Sequence, residues 1–260
     1  MGRYLRTDFY RMVSSRQFYI AIVGMALLYY LSGFQFAFQD VCASYTCTKM
    51  LSVAILAYAF CAIPFSGCYV EDEENHFWYL AIQKGTIKKY VWSKVVVCFL
   101  GAVLTMIIGV TLFAVVLHMH FPLVLDDNAI TVQLRDVDAF GFLLYKDTAL
   151  LYFICSAGMN GLLGGIFALL SAYLSLYEKN RLFTICTPVI GYYFLENFLT
   201  NTLNMPDSAN LAVIFSSDLS LFQDTLLDVS YAIVVAVIAL VIIGILTVKK
   251  IEREIHGVKM

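Results

Sequence analysis

Residues 71–94 read EDEENHFWYLAIQKGTIKKYVWSK. Four acids, Glu71, Asp72, Glu73 and Glu74, open this stretch, and an apolar cluster of Phe77, Trp78, Tyr79, Leu80 and Ile82 follows. Lys84, Gly85 and Thr86 break the pattern, and Lys88, Lys89 and Lys94 close it. Acids at the start and bases at the end suit the dipole of a helix. Long apolar runs lie on both sides, so the stretch reads as an amphipathic bridge between two membrane spans. Reversing the chain takes far less, as the short turn at 177–181 does it. A bridge of this length and chemistry reads as a docking element.

Working outward, six apolar stretches cover about 18–38, 50–70, 94–117, 148–176, 182–200 and 230–248. Each is near or above the roughly 20 residues that cross a bilayer. Of the 17 basic residues, 14 lie before the first stretch, in the second and fourth connections, or after the last. Only Lys49, Arg135 and Lys146 fall on the other side. Basic residues at span ends stay cytoplasmic. The expectation is therefore an all-α integral membrane protein of six spans with both termini cytoplasmic, and one domain over residues 1–260. Lys94 is expected to extend its ammonium back to the interface. Pro64 and Gly67 are expected to bend the second span near its inner end.

Composition agrees. Apolar residues make up 61% of the chain and charged residues 14%, against roughly 25% charged in soluble proteins. The excess apolar surface calls for lipid. A net charge of −2 without a basic face excludes nucleic acid as a partner. The first apolar run reads as a full span and not as a leader peptide. Before it, Leu5, Phe9, Met12 and Val13 recur at helical spacing among Arg3, Arg6, Arg11 and Arg16, the pattern of a helix lying in the cytoplasmic interface.

The other connections are acidic. Residues 118–147 carry Asp126, Asp127, Asp136, Asp138 and Asp147, and residues 201–229 carry four Asp with no Lys or Arg. The second segment is still fairly apolar and suits short helices at the outer leaflet. Cys42 and Cys47 share the first external loop, either as a disulfide or as free thiols. The remaining cysteines lie in spans, where a free thiol behaves as a small apolar group. His118-Met119-His120 follows the third span and suits polar capping; no pattern in the chain calls for a bound metal.

The arrangement resembles the type-2 ABC export permeases, the membrane subunits of type V ABC transporters. The likeness rests on the N-terminal amphipathic helix, the bridge after two spans with its Glu71–Glu74 start, the Gly85-Thr86 turn with Lys88-Lys89, Lys94 entering the third span, and the short external helices before the last span. It covers nearly the whole chain. The basic residue that usually follows the acidic start is replaced here by His76-Phe77-Trp78. The resemblance implies a location in a bacterial cell membrane and a second permease copy, identical or not. It also implies a cytoplasmic ABC ATPase subunit that binds ATP and Mg. This chain has no G-x-x-x-x-G-K-[ST] loop and is expected to bind no cofactor itself. The coupling residues are then Glu71, Asp72, Glu73, Glu74, Phe77, Trp78, Leu80, Lys84 and Gly85, with Phe77, Trp78 and Leu80 as apolar anchors.

Within the spans, Ala157, Gly161, Gly165, Ala168 and Ala172 share one helical face, and Gly161 with Gly165 forms a small-xxx-small pair for helix packing. Asn160 beside them should face protein or water. In the fifth stretch, Pro188 introduces a kink. Glu196 follows about 14 residues from the start, roughly 21 Å along a helix. It is either an acid at the outer interface or a polar group at a pathway mouth, with Tyr192, Tyr193 and Asn197 as neighbours. Tyr29, Tyr30, Tyr58 and Tyr69 belong to aromatic belts or to the pathway. The reading is an exporter of amphipathic or hydrophobic peptides such as bacteriocins or phenol-soluble-modulin-like toxins. Alternatives are a drug, lantibiotic-immunity or lipid permease, a non-transporting scaffold, and an intramembrane enzyme, which lacks an evident nucleophile–base pair.

Overall fold

A computed structural model of the chain describes residues 2–33, 40–51, 55–75, 86–145, 147–178, 180–197 and 206–257. These residues are mostly helical, and no strand occurs among them. The chain begins with α1 (Gly2–Ser14), which meets α2 (Arg16–Gly33) at a 55° bend. Next come α3 (Val41–Lys49), α4 (Ile55–Ala62) and α5 (Cys68–Glu74). Then α6 (Ile87–His118), α7 (Ala129–Val137), α8 (Ala149–Leu174) and α9 (Arg181–Phe194) follow, with α10 (Leu211–Ile214) and α11 (Thr225–Gly257) last.

Three helices, α6, α8 and α11, are long and apolar enough to cross a membrane, and the bent α1–α2 pair makes a fourth if it is taken as one span. The expected second span is not one helix. It is divided into α4 and α5 by a break at residues 63–67. Pro64 carries no backbone N–H, which removes a helical hydrogen bond at that point. The fifth stretch begins as α9 with Pro188 inside it and passes through a π-type turn at 195–197. Phe77, Trp78, Leu80, Lys84 and Gly85 lie outside the described residues.

The bundle is organised around α6 and α8, which pack along most of their lengths. Gly161 and Gly165 make this possible. A Cβ on Gly161 would sit 3.2 Å from the Cα of Val103, and one on Gly165 would sit 2.6 Å from the Phe99 ring. The small-residue face read in the sequence thus packs within the chain. On α1, Asp8 and Met12 face the bundle, with Met12 filling the space over Gly101 of α6. Cys42 and Cys47 are both free on α3, so the open question of a disulfide resolves to two thiols.

The end of the bundle that carries residues 40–51, 118–147 and 206–224 is tied together by buried carboxylates. Asp40 caps α3 by accepting from the Ala43 N–H at 2.6 Å. Its other oxygen accepts from the Leu125 N–H at 2.9 Å, Asn128 Nδ2 at 3.3 Å and Thr131 Oγ1 at 3.3 Å. Asp138 accepts from the Tyr152 hydroxyl and from the Phe140 N–H, both at 2.8 Å. His118 is engaged locally, with Nδ1 3.2 Å from the Phe121 carbonyl.

Candidate functional site

Tyr58 of α4, Asn160 of α8, Tyr192 of α9 and Glu196 just beyond it line one cavity of about 130 Å³. Its volume admits a few water molecules. The wall is completed by Tyr29, Lys49, Met106 and Asp218, among others. The rings of Tyr58 and Tyr192 stack at 4.8 Å with 20° between their planes, and Phe167 meets both edge-on. Tyr193 does not join them; it is exposed. Successive helical residues are about 100° apart, so a helix that turns Tyr192 inward turns Tyr193 away.

A polar chain runs from the cavity into the bundle. The Tyr58 hydroxyl donates to Asn160 Oδ1 at 3.5 Å, and Asn160 Nδ2 donates to the Ser156 carbonyl at 3.0 Å. Ser156 Oγ lies 2.7 Å from Ser217 Oγ and 3.3 Å from the Tyr45 hydroxyl. Lys49 Nζ donates to Ser217 Oγ at 3.2 Å, forms an ion pair with Asp218, and lies 5.1 Å from the centre of the Tyr45 ring. Asp218 is held in turn by Ser216 Oγ at 3.0 Å. Burial works against the Lys49 ammonium, but Asp218 and Asp138 outweigh it, so the pKa of Lys49 lies above the ordinary lysine value. Glu196 has no described cation within ion-pair distance. The arrangement is a small polar chamber with one neutralised lysine, stacked tyrosines and an additional carboxylate.

A second cluster sits at the other end, where the 71–94 connection leaves the bundle. Lys94, expected in headgroup water, is instead fully buried, with Nζ 2.7 Å from Asp72 Oδ2. The Tyr90 hydroxyl donates to the same oxygen at 2.7 Å, and Arg11 Nη2 donates to Asp72 Oδ1 at 3.0 Å. Asp8 accepts from Ser93 Oγ and lies 4.0 Å from Arg11. The Lys94 ammonium is also within 5.2–5.6 Å of the ring centres of Phe65, Tyr69 and Tyr90. Removal of these charges from water is costly unless they are paired and hydrogen-bonded. Two carboxylates and two cations meet that condition. At Asp72, burial opposes ionisation. The Lys94 ammonium, with hydrogen bonds from Lys94 and Tyr90, overcomes it and holds the carboxyl below its usual value.

The acidic run Glu71–Glu74 therefore divides by role. Asp72 is turned inward and consumed by the cluster, whereas Glu74 is exposed and Glu71 and Glu73 are half-buried. Asp8 and Lys49 carried no weight in the sequence reading. Each had a signal: Asp8 is the lone acid in an arginine-rich segment, and Lys49 is one of three cations on the side nearly free of them. Set against family models, curated proteins and solved structures, the chain matches none.

Proposed function

We propose that this chain is the permease subunit of an ATP-driven exporter, working in a bacterial cell membrane as a six-span protein with both ends in the cytoplasm. A second permease copy completes the pathway, and a separate cytoplasmic ATPase binds ATP and Mg and docks on residues 71–85. The favoured cargo is an amphipathic or hydrophobic peptide. One observation carries this reading. Polar residues of three segments set in apolar sequence, Tyr58, Asn160, and Tyr192 with Glu196, converge on a single cavity, from which Tyr193 turns away. Intramembrane polar groups are costly and mark pathways when they share a wet space. Support also comes from the charge asymmetry and from the bridge, whose acidic start is fastened to α1 and α6 through Asp72.

Co-purification tests the docking half of the proposal. Phe77→Ala/Trp78→Ala should release the ATPase while the chain still inserts in the membrane. An ATPase that stays bound to this variant would remove residues 77 and 78 from the docking assignment. The transport half is tested in vesicles containing the permease–ATPase complex, where amphipathic peptide should stimulate ATP hydrolysis and accumulate on the far side. Hydrolysis without peptide movement would reduce the chain to a scaffold.

A further inference from the structure

Away from both sites, residues of α6 and α11 line a cleft of about 270 Å³. Trp92, Ile245 and Val248 supply its apolar surface, and Lys88, Lys249 and Glu252 its charges. The indole of Trp92 lies against α11 at Gly244, where an added Cβ would come within 2.9 Å of the ring. The cleft stays open because α11 is the least enclosed of the long helices: only 33% of its apolar window is buried, against 56% for α6 and 67% for α8. Lipid is the natural neighbour of such a surface.

We propose that this cleft holds the headgroup of an anionic glycerophospholipid, with the phosphate between Lys88 and Lys249 and the acyl chains running along Ile245 towards the membrane interior. Four features select this occupant. The cleft lies where the apolar run 230–248 gives way to Lys249-Lys250, the depth of a phosphate layer. Lys88 and Lys249 are exposed, and neither has a described carboxylate within ion-pair distance, whereas neighbouring Lys250 is engaged by Glu254 at 3.1 Å and by the Tyr177 ring. Lys88, Lys249 and Glu252 together give the lining a formal charge of +1, which favours an anion over a zwitterion. Tryptophan adds a preference for interfacial depth.

The chain has two tryptophans, so Trp78→Phe leaves Trp92 as a fluorescent reporter inside the cleft. The full-length Trp78→Phe protein is reconstituted in vesicles of phosphatidylcholine with rising fractions of brominated phosphatidylglycerol or brominated phosphatidylcholine. A cation near the surface is worth about 1 kcal/mol towards an anionic lipid, so roughly fivefold tighter association of the phosphatidylglycerol is expected, read as stronger quenching at equal lipid fraction. Lys88→Gln/Lys249→Gln should bring the two lipids level, and Lys88→Arg/Lys249→Arg should keep them apart. Lys89→Gln/Arg253→Gln removes the same charge at the same end outside the cleft and should keep the preference. Equal quenching by the two lipids on the Trp78→Phe protein overturns the proposal and leaves the cleft to a protein segment. So does loss of the preference in Lys89→Gln/Arg253→Gln. If the Gln pair does not fold, the wild-type cleft and the outside pair still decide between a site and diffuse surface charge.

Discussion

Lys94 and Asp72, the last and second residues of the 71–94 stretch, meet at 2.7 Å with side chains 0% and 1% exposed. The bridge between α5 and α6 is thus closed at its base by a buried ion pair, and Arg11 brings α1 into the same contact. The start of the bridge is tied directly to the first helix as well as to α6.

Substitution of one partner leaves the other charge stranded. Lys94→Met is expected to lower stability by about 3–5 kcal/mol, the range for breaking a buried pair from one side. Lys94→Met/Asp72→Leu should recover a large part of that loss. Thermal unfolding of the purified protein in detergent measures Lys94→Met, Asp72→Leu and the double variant; strictly additive losses would mean the two side chains do not act together.

Close packing of α6 and α8 makes two glycines differ in a measurable way. Gly165→Ala meets the Phe99 ring, which a smaller side chain at 99 relieves, whereas Gly161→Ala meets the backbone of Val103. Each should cost about 1–3 kcal/mol. Phe99→Ala should rescue the first and not the second, as read from unfolding midpoints.

Asp138 gives the structure a pH dependence. Burial pushes its carboxyl up to about 6, against the opposing influence of Lys49, the Phe140 N–H and Tyr152. The unfolded chain releases that proton near 3.8. Below that value both states are protonated and the contribution is fully present; it is lost as pH rises to about 6. The difference corresponds to about 3 kcal/mol. Unfolding free energy should therefore fall between pH 4 and 6 and level off above, and Asp138→Asn should flatten this part of the curve.

Glu196 distinguishes a pathway from an interface. Glu196→Gln keeps the shape of the cavity and removes its unneutralised charge. Export should fall severalfold with ATPase binding intact. Wild-type export by this variant would return Glu196 to the role of an outer-interface acid.

Helix and membrane character were legible because they rest on long runs, which survive in α6, α8 and α11. Pro64 marked the break in the second stretch, though not that the break would separate α4 from α5. Polar and aromatic residues in apolar context pointed to Tyr58, Asn160, Tyr192, Tyr193 and Glu196, of which Tyr193 turns away from the cavity. Sequence could not show that Lys49 and Asp218 complete their cavity, since these are 169 positions apart. Lys94 was misjudged for a related reason. A lysine at a span boundary normally extends to water, and only the folded chain reveals the carboxylate and the three aromatic rings that keep it inside.

Electroneutrality at the base of the bundle also imposes an order on biosynthesis. Asp8, Arg11 and Asp72 leave the ribosome before Lys94, and these three alone carry a net negative charge. The contacts of Arg11 and Asp72 in this cluster are therefore complete only once residue 94 has been made and α6 stands beside α1 and α5.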